Sequence, residues 1–354
     1  MKSKMTTGAG ARQIQRVSRR KARYGALALA ALMLAGMLAA CGKTQTTHTT
    51  QTTKKKVYQI GVVQYVEHPA LDATYTGFKE ELAAKGYKDG DNIKLDFKNA
   101  QGDQNTLNTI ATQLVGAKKD LILAIATPSA QAVASQTDSI PVVGTAITDY
   151  EAAKLVDSND KPGRNVTGTS DMNPVAEQIK LGKELVPGAK TVGLLYSSSE
   201  ANSVVQANLA KKAIAQEGMQ VKEVTVASVN DVQQAAQALV GKCDYVYIPT
   251  DNTLASAMQT VAGVMTPAKL VTITGADTMV DDGGFATMGI DYTDLGKQTA
   301  DMAIQILEGK KPADMPIEFT EKTSVTINAD LVKAFGITVP EKYADAVKAP
   351  NTSK

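Results

Sequence analysis

Six polar clusters in this chain stand directly after apolar runs and directly before segments of helical period: Gln64-Tyr65 with His68-Pro69, Thr127-Pro128-Ser129, Thr145 to Asp149, Ser197-Ser198-Ser199, Thr250-Asp251-Asn252 and Gly275-Ala276-Asp277. At a helix start the first backbone N–H groups lack partners and the macrodipole is positive, so a hydroxyl-bearing start such as Thr127-Pro128-Ser129 can hold a carboxylate. Asp251 can do the reverse and pair with an ammonium. A plainer reading stands beside each, because Thr and Asp are ordinary N-cap residues and Pro128 suits the first helical turn. Asp149 and Asp277 carry the same two readings. His68 reads as a pocket-lining or positioning residue, or else as part of a surface turn.

Other chemistries lack their residues. Ser197-Ser198-Ser199 has no GxSxG elbow around it, and a Ser-His-acid triad would have to use His68, the one histidine after residue 56. No Walker pattern or GxGxxG follows the first apolar run, so a nucleotide has no phosphate cradle. Asp281-Asp282-Gly283-Gly284 lacks the later ligands of a calcium loop and reads as a tight turn. His48 is a lone imidazole among threonines, and Cys243 precedes an apolar run with no histidine nearby in sequence, which suits a small core residue. No metal and no cofactor are expected.

The apolar runs that place these clusters are Val57–Gln64, Ile93–Phe97, Leu121–Ala126 and Pro141–Gly144, followed by a second series, Thr191–Tyr196, Val221–Val226, Tyr245–Ile248 and Leu270–Ile273. Helix-period segments separate them, as in Leu107, Ile110, Ala111, Leu114 and Val115. Short, continuously apolar strands alternating with helices predict an α/β fold of two doubly wound parallel-sheet lobes. In such sheets ligands sit beyond the carboxyl ends of the strands, where the six clusters lie. The turn-rich Asp157–Gly168 segment predicts a boundary between the lobes, and Phe285–Ile290 and Tyr292–Glu308 predict a strand and a helix that complete them.

The chain has 354 residues, with 38 Lys+Arg and 36 Asp+Glu. Eight of the basic residues and no acid lie in residues 1–40, which leaves 30 basic against 36 acidic, a net −6, over residues 41–354. A surface of that sign disfavours nucleic acid as a partner. The basic start runs into the uncharged Gly25–Ala40 stretch and ends in Leu38-Ala39-Ala40-Cys41, which resembles a lipoprotein signal with Cys41 as the lipidated residue. The competing reading is an uncleaved membrane anchor, since Tyr24–Gly42 gives 19 uncharged residues. Arg19-Arg20 hints at twin-arginine export. Residues 41–56 read as a Thr/Gln/Lys-rich tether.

With these features in place the chain resembles the ABC-transporter substrate-binding lipoproteins of the tryptophan/tyrosine type, which have the type I periplasmic-binding-protein fold. The resemblance rests on IGVVQYVEHPALDATYTGFKEEL from Ile60, ATPSAQA from Ala126, GTAITDY from Gly144, IPTDNTLASAM from Ile248 and MGIDYTDLGKQTADMAIQILEGKKP from Met288. It implies lobes joined by three crossings, with lobe 1 at 57–165 and 289–313, lobe 2 at 166–288 and 314–340, and a tail at 341–354. It also implies a monomer outside the cytoplasm, anchored through Cys41, that traps a small ligand between its lobes and hands it to a membrane permease without turnover. Carried over by segment, Thr127 and Ser129, with Pro128 between them, hold the ligand carboxylate and Asp251 its ammonium. Gln64, Tyr65, His68, Thr145, Asp149, Ser197, Ser198, Asn252 and Asp277 surround them. An amino acid suits such a site, with Trp, Tyr or Phe as the aromatic option, and Tyr65, Tyr150 and Tyr196 stand where they could stack on a ring or pack in the core. A purine, a small peptide or a non-aromatic amino acid fits the same groups. A ligand-sensing receptor and a secreted enzyme are the alternative functions.

Overall fold

Residues 56–320 and 322–351 are described by a computed structural model of the chain. The expected signal segment, Cys41 and the tether as far as Lys55 lie outside the described residues.

The chain first runs β1 (Tyr58–Gln64), α1 (Pro69–Ala84), β2 (Ile93–Asn99), α2 (Gln104–Gly116), β3 (Leu121–Ile125), α3 (Thr127–Ala134), β4 (Val142–Ile147) and β5 (Val166–Ser170). It continues through α4 (Val175–Leu185), β6 (Thr191–Ser197), α5 (Ala201–Gln216), β7 (Gln220–Val226), α6 (Val232–Gln237), β8 (Tyr245–Ile248), α7 (Asn252–Ser256), α8 (Met258–Met265), β9 (Val271–Thr274), α9 (Asp277–Asp281) and β10 (Ala286–Gly289). It returns as α10 (Tyr292–Leu307), β11 (Glu318–Phe319), β12 (Ser324–Asn328), α11 (Ala329–Phe335) and β13 (Val347–Lys348). The predicted α2 face is the observed one, with Leu107, Ile110, Ala111 and Leu114 buried and the Asp103 side chain capping the helix start.

Two sheets result. The first is parallel throughout, in the order β11-β5-β4-β3-β1-β2; the second has the order β13-β12-β10-β9-β8-β6-β7, with β12 antiparallel to β10. Strand order reverses direction at β1/β3 in the first and at β6/β8 in the second, the switch points at which doubly wound sheets open a crevice. The loops after β1 and β3 carry Gln64 to His68 and Ala126 to Ser129; those after β6 and β8 carry Ser197 to Glu200 and Pro249 to Asn252.

Two of the three crossings fall later than the expected boundaries. Residues 166–170 form β5 of the first sheet, paired with β4, so the first crossing begins at Asp171. The VTGTS sequence of this strand lacks an apolar run, yet all five residues are buried because their hydroxyls have partners: Thr167 Oγ1 donates to Met315 O (2.7 Å) and Thr169 Oγ1 lies 2.7 Å from Thr299 Oγ1. Glu318–Phe319 pairs with Thr169–Ser170, so the chain stays with the first lobe past residue 313 and crosses between β11 and β12. The middle crossing lies between β10 and α10, close to its expected place. The tail is part of the second lobe, since β13 pairs with β12.

The first lobe is closed by α10 lying on α1. Ala70, Leu71, Thr74, Gly77, Phe78 and Leu82 form the buried stripe of α1, and the backbones touch where each helix has a glycine. A Cβ on Gly77 would collide with the Thr293 carbonyl oxygen, and one on Gly296 with that of Thr74. Gly77→Ala must separate the two helices, a cost of about 1–3 kcal/mol by the usual penalty of overpacking. It should lower the urea midpoint without changing the slope; an unchanged midpoint would show that the helix contact is not tight.

Candidate functional site

The carboxyl ends of the two sheets face each other across a narrow cavity of about 20 Å³. Two hydrogen bonds cross it: His68 Nε2 to Asn252 Oδ1 at 3.3 Å, and Gln206 Nε2, on α5, to Thr148 Oγ1 at 3.1 Å. The cleft is therefore closed.

On the second lobe, α7 is only five residues long, and two buried carboxylates fix its start. Asp251 accepts from Leu254 N at 2.8 Å with one oxygen and from the Ser197 backbone N–H with the other, tying the end of β8 to the end of β6. Glu200 accepts from Thr253 N (2.9 Å) and Thr253 Oγ1 (2.7 Å) at one oxygen, and from Asn252 N (3.2 Å) and Asn252 Nδ2 at the other. Asp251 is thus a cap, the plainer of its two readings, and at the same time a wall of the cavity. Burial, and then the Glu200 charge, push its carboxyl well above the ordinary range. Glu200 was not among the expected residues; its signal was an acid between the serine run and the α5 pattern.

On the first lobe, α3 begins at Thr127, but its N-cap is Ala126, which makes no side-chain hydrogen bond. Thr127 is therefore not the cap, and Pro128 lies buried behind it in the first turn. Ala126 has φ 79° and Ala146, at the bulge between β4 and β5, has φ 52°. Such conformations in a residue with a Cβ cost about 1–3 kcal/mol and collect at ligand sites. Among the described residues, the buried Thr127 Oγ1 and Ser129 Oγ have no hydrogen-bond partner, and neither do Gln64 Oε1, His68 Nδ1, Ser197 Oγ, Asn173 Oδ1 and Asn202 Oδ1. Polar atoms left in this state are costly, and two of them, on His68 and Asn202, belong to residues that line the cavity.

At the hinge, Asp171 accepts from Tyr292 OH at 3.0 Å and from Thr148 Oγ1 at 3.2 Å. Asn173 Nδ2 donates to Gly275 O at 3.0 Å across the same crossing. Asp171 follows β5, the strand that has no apolar run to announce it, and so was missed with it. Tyr292 and Thr148 stood inside quoted motifs without being singled out.

Several expected residues point elsewhere. Thr145 Oγ1 accepts from Thr169 and Thr299 hydroxyls at 3.2 and 2.9 Å, on the α10 side of the sheet. Asp149 accepts from Ala152 N in a turn, and Ser198 is exposed, its hydroxyl donating to Val226 O. Asp277 sits in the first turn of α9 and accepts from the adjacent Thr278 N. Tyr150 is core, with its hydroxyl on Thr169 O, and Tyr196 bonds Glu223. Tyr65 donates to Gly102 O, and its hydroxyl is pushed up to about 12 by burial and by the Glu200 and Asp251 charges. Gln64 Nε2 bonds Asp72 at 2.7 Å at the start of α1.

Among the described residues, the cavity wall holds Asp171 and Asp251 and no Lys or Arg. Burial pushes Asp171 from 3.8 to about 6, although the Tyr292 and Thr148 hydroxyls work against it, and burial pulls His68 down to about 4, so the imidazole is neutral. His68 pairs with Asn252 rather than with a serine. Such a wall attracts a cation and is inert as a nucleophile. Folded Asp171 keeps its proton up to about pH 6, whereas the unfolded chain releases it near 3.8, so the folded state loses stability as pH rises through that window. Asp171→Asn removes this loss, and both hydroxyls can turn to suit the amide. The stability difference between variant and parent should move in the variant's favour by about 3 kcal/mol from pH 3 to pH 8; a flat difference in urea unfolding would contradict the burial argument.

The family model for ABC transporter substrate binding proteins matches residues 59–349. A tyrosine-binding protein of Clostridioides difficile (strain R20291) is 41% identical over 326 residues, which is 91% of this chain and 94% of that protein. The structure of an ABC domain from Streptococcus pneumoniae in complex with L-Trp is 41% identical, with a TM-score of 0.80 over 83% of this chain and 99% of that one. A ligand-free, open substrate binding protein with adhesive properties from Clostridium difficile is 43% identical over 84% and 100% of the chains, with a TM-score of 0.65. At nearly equal identity the lower score falls on the open form, in keeping with the closed cleft here. Two doubly wound lobes shut on a polar cavity, and a match that spans nearly all the described residues, place the chain in the family of ABC transporter substrate-binding proteins of type I periplasmic-binding-protein fold, which bind their ligands outside the cytoplasm and do not transform them.

Proposed function

We propose that this protein captures an amino acid, of the aromatic class, and delivers it to an importer of the ABC type. The observation that carries the reading is the cavity itself, whose wall has buried acids and no Lys or Arg among the described residues; the Thr127 and Ser129 hydroxyls at the α3 start, beyond the end of β3, are buried without a partner among those residues. An α-ammonium neutralises Asp171 and Asp251, and an α-carboxylate takes the Thr127 and Ser129 hydroxyls with the α3 start. The zwitterion thereby satisfies both lobes at once, and binding favours the closed state. The choice of an aromatic side chain is supported by the relatives, one a tyrosine-binding protein and one solved with L-Trp. Ala70, Leu71, Ala146, Ala255, Ala276 and Met279 supply an apolar wall for it. The Leu38-Ala39-Ala40-Cys41 sequence supports anchoring by lipid on Cys41.

Thermal unfolding against amino acids, nucleosides and sugars tests the reading, since a ligand of the native state raises the midpoint. Trp or Tyr should raise it. Ser129→Ala together with Thr127→Val should weaken binding by roughly 10- to 100-fold, the worth of hydrogen bonds to a charged group. A shift produced by nucleosides or sugars and by no amino acid would discard the substrate, and Cys41→Ala protein that stayed in the membrane fraction would discard the anchor.

A further inference from the structure

The amide of Asn252 has one possible orientation. Its Nδ2 faces Glu200 Oε2, which also accepts from Asn252 N, so a carboxylate acceptor fixes the nitrogen and leaves Oδ1 toward His68. Oδ1 can only accept, and His68 Nε2, 3.3 Å away, must therefore carry the proton. In a neutral imidazole the other nitrogen is then a bare acceptor. That nitrogen, Nδ1, is buried on a residue 7% exposed and has no partner among the described residues. The residues that follow in the same two helix starts, Ala70 and Leu71 after His68 and Ala255 after Asn252, are apolar and line the same cavity. Asp171 and Tyr292 lie at the hinge crossings and Asp251 and Asn202 beside Asn252 on the second lobe, while on the first-lobe wall His68 Nδ1 is an unpartnered acceptor next to Ala70 and Leu71.

We infer that His68 reads the side chain of the ligand, its Nδ1 accepting a hydrogen bond from a ring-borne N–H or O–H, so that the site selects indole or phenol over a bare phenyl ring. Glu200 and Asn252 are positioning residues that hold the imidazole in this tautomer. The inference rests on the amino-acid reading above and adds the element of selectivity. Rejection follows the usual asymmetry: a ligand without the donor leaves Nδ1 buried and unpaired, which costs more than the bond is worth to a ligand that makes it.

Titration calorimetry of the purified protein with L-Trp and with its benzothienyl analogue, in which sulfur replaces the indole N–H at nearly the same shape, tests this. L-Trp should bind at least roughly tenfold more tightly, a margin set by one unmade buried hydrogen bond. In His68→Leu the two affinities should converge, whatever their absolute values. Equal binding by the parent protein, which needs no variant to fold, overturns the inference, as does a preference that survives His68→Leu. Failure of L-Trp, its analogue and L-Tyr alike to bind the parent overturns the inference together with the reading on which it rests.

Discussion

Buried negative charge without a counter-ion on the cavity wall is the constraint around which this molecule is arranged. Asp171 and Asp251 are 4% and 2% exposed, and the residues that line their cavity include no Lys or Arg. Hydroxyl and backbone donors solvate them in part, which keeps the closed form accessible. Full compensation has to come from a guest, and a guest that compensates stabilises closure by its differential affinity for the closed state.

The rest of the fold serves this arrangement. Each sheet reverses strand order at one place, so two loops from each lobe diverge there and deliver helix starts to the same space. Glu200 and Asp251 make the five-residue α7 rigid where helix propensity cannot. Ala126 and Ala146 hold backbone conformations that an L-residue adopts at a cost, and the α1–α10 contact is drawn tight by paired glycines. The strained alanines follow β3 and lie at the β4–β5 bulge, and the close packing lies in the α1–α10 contact.

The fold was largely legible because buried parallel strands announce themselves as apolar runs: Leu121–Ile125 and Tyr245–Ile248 were found within a residue. β5 was not, because its burial depends on threonine hydroxyls whose partners, Met315 and Thr299, are distant in sequence. The lobe boundary expected after residue 165 falls five residues early for that reason, and Asp171 lies just past the true one. For the site, the clusters that follow strands contain His68, Asp251 and Asn252, which line the cavity, whereas Gln64 turns to Asp72 and Thr127, Ser129 and Ser197 are buried at the same strand ends without lining it. A place after a strand could not say which way each side chain turns. Thr145 faces α10 and Ser198 faces solvent for reasons of strand parity and loop path that the clusters alone do not contain. Glu200 took its role from a pairing 52 residues away.

The most direct measurement is small-angle X-ray scattering of the protein alone, with L-Trp, and with N-acetyl-L-Trp, which keeps the ring and the carboxylate but has no ammonium. If unopposed carboxylates govern closure, the radius of gyration should fall with L-Trp and stay at its ligand-free value with the acetylated compound. Equal compaction by both at saturation would contradict the account, because closure would then owe nothing to the charge on the wall.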